Sequence, residues 1–240
     1  MPLIPDTVQA QFNDAESLTV IDQTVAAVVV EPIQAEAGII CPENDFLSEI
    51  ADRCKKTGAL LVFDEIQTGF GRTGTMFALE RYGVVPDIIC LAKALGGGLP
   101  LGAFISSRDI ISCLSDNPAL GHITTFGGHP VSCTAGLAAM EYILREELHN
   151  KSDTKGMKFR NKLKHKTIAE IRGEGLFLAV KLRSAEMAQR FIQKGILNGL
   201  ILDQFLFCRD SFRISPPLTI TSEEIDLASD MILNTLDELV

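Results

Sequence analysis

The sequence predicts an α/β protein, with a mainly parallel sheet in residues 1–150 and a small α+β domain in residues 151–240. Three observations predict it. Short, continuous apolar runs alternate with helical stretches through the first part of the chain, the pattern of buried parallel strands joined by crossover helices. Each of the first three runs ends at a charged residue. At residue 151 the composition shifts: KSDTKGMKFRNKLKHK is basic and polar in an otherwise acidic chain, which reads as a solvated helix or a hinge between subdomains.

Val25–Val30 (VAAVVV) is the first strand, ending at Glu31-Pro32. Asp45–Lys56 has apolar residues at 46, 47, 50 and 54, which is helical spacing, and Gly58 closes that helix as a left-handed cap. Ala59–Phe63 is the second strand, ending at Asp64-Glu65. Asp87–Ala92 is the third, ending at Lys93, and Ala103–Ser106 is a fourth. Ser107 opens a helical stretch toward Leu114. Pro130 stands in the first turn of a helix running to Leu148. After the basic segment come a strand (Gly175–Leu182), a helix (Ser184–Asn198) and two short strands around Ile201–Phe207 and Ser211–Ile214. A final helix from about Ser222 to Val240 is opened by the capping box Thr221-x-x-Glu224.

Composition bounds the function. At 240 residues and 46% hydrophobic the chain can bury a core as one large domain or two small ones. Its net charge of −9 argues against a nucleic-acid binder and against a polybasic membrane surface. The six cysteines form no CxxC and the four histidines no HExxH, so no metal site is read. The cysteines read as small buried hydrophobes in a reducing compartment. No signal peptide and no 18-residue apolar span is present, and the expected location is cytoplasmic.

The chemistry lies at strand ends, because ligands of open α/β sheets sit beyond the carboxyl ends of the strands. Those ends carry Glu31, Asp64-Glu65-x-Gln67 and Lys93. A lysine ending a buried strand is desolvated, which favours its neutral, nucleophilic amine. A carboxylate at a neighbouring end can hold a protonated pyridine nitrogen. That pairing is what proteins supply to pyridoxal phosphate. A competing signal is Gly69-x-Gly71-x-x-Gly74, a literal GxGxxG. A dinucleotide site needs its first glycine directly after a strand and its last at a helix start. Here Asp64 to Thr68 intervene, and no helical pattern follows until after Met76.

The segments VVVEPIQAEAG, LLVFDEIQTGFGRTG, PDIICLAKALGGGLPLGAFI, TTFGGHP and FRISPPLTIT resemble the class III pyridoxal-phosphate aminotransferases, in particular the acetylornithine/ornithine aminotransferase group. The resemblance implies a fold type I PLP-transferase-like architecture, with residues 1–150 a partial large cofactor domain. It implies pyridoxal 5'-phosphate as cofactor. The reaction it implies moves an amino group from an amino-acid or ω-amine donor to a 2-oxo acid such as 2-oxoglutarate. Lys93 would bond the cofactor and carry the proton, and Asp64 would pair with the ring nitrogen. Ile66 would pack on the ring, and Gln67 would bond its phenolic oxygen. Thr125 would contact the phosphate, usually across a homodimer. Arg213 would bind the substrate carboxylate, Glu36 would gate that arginine, and Glu31 would line the same wall. Members of the family carry a longer N-terminal portion with a phosphate cup and a ring-stacking aromatic residue. Neither is found in the 24 residues before Val25, whose sole aromatic is Phe12. The expected partner is therefore a second copy or a chain supplying that portion. The alternative function is a truncated, non-catalytic remnant acting as a dimerisation or partner module. Ala35, His129 and Ala179 also depart from the family pattern, at positions touching substrate preference and local turns.

Overall fold

The protein's structure is a computed structural model that describes residues 4–116, 119 and 121–240. The first sheet has the order β1 (Ala27–Val30), β2 (Leu60–Asp64), β3 (Ile88–Leu91), β4 (Ala103–Ser106). The first three strands are parallel and β4 runs antiparallel to β3. Between β1 and β2 lies α1 (Phe46–Thr57), which buries Phe46, Leu47, Ile50 and Cys54, the four positions its spacing predicts. Gly58 caps it at φ 85°, a left-handed conformation that costs glycine nothing. Those side chains pack with Leu61 and Phe63 of β2 and with Leu18 and Ile21. Asp87 fixes the β2–β3 register: its carboxylate accepts the Leu61 N–H at 2.8 Å and its own N–H donates to the Leu61 carbonyl at 2.9 Å. A short helix, α2 (Ala78–Tyr82), follows the glycine-rich loop, and α3 (Arg108–Asp116) follows β4.

The helix read as Pro130 to Leu148 stops earlier. Helix α4 spans Pro130–Arg145, Glu147 turns at φ 51°, and α5 (Leu148–Lys162) begins. A side chain at Gly136 of α4 would collide with the Leu95 carbonyl, and one at Gly97 with the Ala135 carbonyl. These glycines let α4 press against the turn that carries Lys93. Most of the basic segment is helical, as one of its two readings expected, but several of its lysines are paired rather than simply solvated. It lies within and just after α5, where Lys158 and Lys162 reach Asp226 at 2.8 Å each and Lys155 donates to the Leu218 carbonyl at 2.6 Å.

The second sheet is antiparallel, in the order β5 (Ile168–Glu174), β6 (Phe177–Leu182), β8 (Ser211–Ile214), β7 (Asp203–Gln204). Strand β5 is not anticipated by the sequence reading. Helix α6 (Ala185–Leu197) is capped by the Ser184 hydroxyl, which accepts the Met187 N–H at 3.1 Å. Helix α7 (Ser222–Asp237) is opened by the predicted capping box, formed in both directions by Thr221 and Glu224. One face of the sheet buries Leu178, Val180, Phe212 and Ile214 with Phe191, Ile225 and Ile232. The other buries Phe177 and Ala179 with Ile33, Ala35, Ile39 and Phe205, so the 31–40 loop is part of this core.

The glycines of the GxGxxG string serve packing. A Cβ at Gly71 would lie 2.9 Å from His149 Cα, and one at Gly74 would lie 2.5 Å from the Asp153 carboxylate. The Ser152 hydroxyl donates to the Gly71 carbonyl at 2.6 Å, so the loop is a seat for α5.

Candidate active site

Parallel register aligns the carboxyl ends of β1, β2 and β3: Val30 pairs with Phe63, and Asp64 with Cys90. Glu31, Asp64 and Lys93 therefore leave three adjacent strands at one edge. Asp64 is half-buried; its Oδ1 accepts the Ile66 N–H at 3.0 Å, which leaves the second oxygen for another donor. The Glu31 carboxylate accepts the Ala35 N–H at 2.9 Å. Burial pushes the Glu31 carboxyl above its ordinary value against that hydrogen bond; the charges of Asp64 and Glu36 push the same way, and that of Lys93 opposes them. Glu31 thus feels all three.

Lys93 opens a short 3-10 helix, Lys93–Gly96, and sits at φ 47°, a left-handed conformation rare outside glycine. Such strain persists only where the surroundings hold it, and it clusters at functional sites. One expectation is corrected here. Lys93 is exposed rather than desolvated. The buried strand ends at Leu91, and the turn after it carries the lysine beyond the sheet.

The second half of the site comes from the second sheet. Arg213 of β8 is buried, and its Nη2 donates to Glu36 Oε1 at 2.6 Å. Its Nη1 donates to Gln67 Oε1 at 3.2 Å, and Gln67 Nε2 donates to Glu36 Oε1 at 3.2 Å. Asp203 lies 3.7 Å from Nη1, and the guanidinium stands 4.8 Å over the Phe205 ring. Arg213 Nε is buried with no partner, a cost the fold bears at this position. Burial raises the Glu36 carboxyl, and the hydrogen bonds from Arg213, Gln67 and the Leu206 N–H outweigh it, so it ionises below the ordinary glutamate range. The structure thus joins Glu36, Gln67 and Arg213 directly and sets Glu31, Asp64 and Lys93 at one strand edge. Ile66 follows Asp64, half-buried. Thr125 lies in the exposed turn 125–128, joined by no described hydrogen bond to the others.

Three residues escaped the sequence reading as anchors. Glu65 is fully buried and accepts from the Thr68 hydroxyl and from the Ala78 and Leu79 N–H groups at 2.6, 2.9 and 2.7 Å, pinning the loop after Asp64 to the start of α2. Its signal was its place beside Asp64. Arg72 donates to the carbonyls of Leu176 and Pro216 at 3.2 and 2.6 Å, and burial lowers its pKa to about 10. Arg81 pairs with Asp153 at 3.1 Å and with Glu174. Both arginines tie the first sheet's loops to the second sheet.

A sequence-family model described as aminotransferase class-III matches residues 4–236. The chain belongs to the class-III aminotransferases. Among members of that family, it is 40% identical over 238 residues to a putrescine aminotransferase of Pectobacterium atrosepticum, covering 93% of this chain and 51% of that protein. It therefore spans about half the length of this curated relative. The fold matches an ornithine aminotransferase from Toxoplasma gondii with a TM-score of 0.91 and 32% identity, covering 99% of this chain and 57% of that one. That structure is described with partial occupancy of PLP at its active site. The acetylornithine aminotransferase of Elizabethkingia anophelis matches with a TM-score of 0.89 and 32% identity, covering 99% of this chain and 61% of its own. The α/β fold with a mainly parallel sheet is thus that of the ornithine-type class-III aminotransferases. No helix among the described residues is long and apolar enough to cross a membrane.

Proposed function

We propose that these residues belong to an aminotransferase site that uses pyridoxal 5'-phosphate to move an amino group from an amino acid or ω-amine to a 2-oxo acid such as 2-oxoglutarate. The observation that carries this reading is the placement of Lys93 and Asp64 at adjacent strand ends, with the Arg213–Glu36–Gln67 cluster contributed from the second sheet. The donor set fits the cofactor: a primary amine for its aldehyde, a carboxylate with a spare oxygen for its ring nitrogen, and an apolar side chain beside them.

When bound, the cofactor supplies a reactive carbonyl and an electron-withdrawing ring. Lys93 Nζ would hold the cofactor at its aldehyde carbon, with loss of water. Once the substrate amine displaces it, Lys93 would be the free amine that takes the proton from the substrate α-carbon and gives it up again. The Asp64 carboxylate keeps the ring nitrogen protonated, since an opposite charge within about 4–6 Å favours the charged form. Ile66 packs on the ring. Gln67 Nε2 donates one hydrogen to Glu36, and its second is available for the phenolic oxygen. Arg213 receives the substrate carboxylate through a planar fork. Glu36 occupies that fork until a carboxylate displaces it, so a dicarboxylate meets a free arginine and an ω-amine donor a neutralised one. Thr125, in the exposed turn 125–128, would contact the phosphate across a homodimer, as the family resemblance implies. A cytoplasmic setting stays a proposal from the sequence pattern, and the reading of all six cysteines as buried is corrected: Cys54 is buried, and Cys113 and Cys133 are exposed.

The test supplies the protein with pyridoxal phosphate, ornithine or putrescine, and 2-oxoglutarate, and measures glutamate. Glutamate should form only with the cofactor and be lost in Lys93→Ala. Turnover retained in Lys93→Ala contradicts the proposal. No glutamate with either donor, even with excess pyridoxal phosphate, decides for the alternative of a truncated chain that does not turn over without a partner supplying the phosphate cup.

A further inference from the structure

We infer that Arg172 is a positioning residue, which latches the 31–40 loop onto the second sheet and thereby sets how firmly Glu36 covers Arg213. The inference deepens the reading of Glu36 as the gate of Arg213 and rests on it.

It begins with register. Arg172 of β5 pairs with Ala179 of β6, Ala179 with Arg213 of β8, and Arg213 with Asp203 of β7. Directly paired residues share a face, and neighbouring strands lie about 4.8 Å apart. The two arginines thus rise from one face on either side of Ala179, which is fully buried. The 31–40 loop lies on that face, with Ile33, Ala35 and Ile39 buried there. Arg213 grips the loop at Glu36. Arg172 grips it two residues later, its Nε donating to the Gly38 carbonyl at 2.6 Å.

The other arms of Arg172 reach the 206–211 segment. Nη2 donates to Cys208 Sγ at 3.2 Å and to the Ser211 hydroxyl at 3.5 Å, while Nη1 pairs with Glu170 at 3.0 Å. The same segment holds Glu36 directly: the Leu206 N–H donates to its Oε2 at 3.2 Å, and the Phe207 N–H donates to its backbone carbonyl at 3.1 Å. One guanidinium therefore clamps together the two stretches that fix Glu36. Gly38 makes the clamp possible. It sits at φ 104°, and a Cβ there would lie 2.5 Å from Arg172 Nη2 and 2.6 Å from Cys208 Sγ.

A substrate carboxylate must displace Glu36 to reach Arg213. Loosening the clamp makes that displacement easier, so removing Arg172 should tighten carboxylate binding. Simple electrostatics gives the opposite sign, because losing a cation weakens attraction for an anion. The direction of the change therefore separates a positioning role from a charge effect. A merely structural role would not tighten binding and would not depend on Glu36.

The experiment measures glutarate binding to the protein by isothermal titration calorimetry at one salt concentration. Glu36→Ala should tighten binding roughly tenfold and Arg172→Ala about threefold. The double variant should bind no tighter than Glu36→Ala alone, since the effect of Arg172 runs through Glu36. Arg172→Lys, which keeps the charge and loses the fork, should fall between parent and Arg172→Ala, and it decides the matter if the alanine variant does not fold. Unchanged or weaker binding in the Arg172 variants beside a tightened Glu36→Ala removes the latch and leaves the gate standing. An equal gain with and without Glu36 removes the latch as well. Unchanged binding in Glu36→Ala overturns the gate, and the latch with it.

Discussion

The two sheets differ in what covers them. Strand β6 is buried on both faces, Leu178, Val180 and Leu182 in one core and Phe177 and Ala179 in the other. In the first sheet, Val28, Val30, Leu61 and Phe63 pack against α1. The opposite face leaves Val29 at 69% and Phe104 at 40% exposure. The register places Asp64 and Cys90 on that same open face. The packed side of each sheet is scaffold, and the open side of the first carries the residue proposed to govern the cofactor ring. Val62, between Val29 and Phe104 on that face, is buried, so the uncovered apolar positions lie on the two outer strands. The second region is a finished core that lends Arg213; the first is a platform that still presents its chemistry outward.

The contrast can be broken at its strongest point. Phe191 and Phe212 stack at 4.4 Å between ring centroids in the second core, and both are fully buried. Phe191→Ala should cost about 3–5 kcal/mol in urea unfolding, the usual range for a buried aromatic. A loss under about 1 kcal/mol would show that this core is not closed.

Asp64→Asn probes the open face through function. An opposite charge shifts a neighbouring pKa by roughly 1–3 units, each about 1.4 kcal/mol between protonation states. Glutamate formation should fall by about a hundredfold or more while Tm moves by about 1 °C or less. Equal rates would remove Asp64 from the chemistry.

Glu31 tests the seam between the two regions through pH. Burial raises its folded-state pKa above the ordinary value of 4.5. Stability from the protonated form is thus fully present below the unfolded pKa and is lost as pH rises through the folded one. Glutamine mimics the protonated form and keeps an acceptor for the Ala35 N–H. Glu31→Gln should therefore raise Tm at pH 7 by about 1–2 °C, with the gain vanishing near pH 4. A gain independent of pH would deny the cause. The smallest effect is expected at Val29, where Val29→Thr on the uncovered face should change unfolding free energy by less than about 0.5 kcal/mol. A large loss there would mean that this face is packed after all.

Much of this was legible locally. The strand ends at Glu31, Asp64 and Lys93, the Gly58 cap and the Thr221/Glu224 box are written in short stretches where propensity and fold agree. What tertiary packing decides was not. The helix from Pro130 reads through to Leu148, yet α4 ends at Arg145 and the chain turns at Glu147, so that Leu148, Ser152 and Gly156 are buried from α5. IAEIRGE of β5 is only half-buried and polar at alternate positions, so no apolar run announces it. The lysines of α5 looked solvated because their partners, such as Asp226, lie far along the chain. The pairing of Glu36 with Arg213 spans 177 residues and came only from resemblance. Nothing in the sequence reading pointed to Arg172, whose importance depends on a register that no local pattern encodes.

The most direct test asks which region takes the cofactor. The protein is incubated with pyridoxal phosphate, the linkage is fixed by borohydride, and the adduct is mapped by peptide mass. Lys93, strained and exposed beside Asp64, competes with Lys151, Lys155, Lys158 and Lys162 on α5, where Lys158 and Lys162 are held by Asp226. The account predicts one dominant adduct, on Lys93, that weakens in Asp64→Asn. An adduct on the α5 lysines with Lys93 unmodified would contradict it.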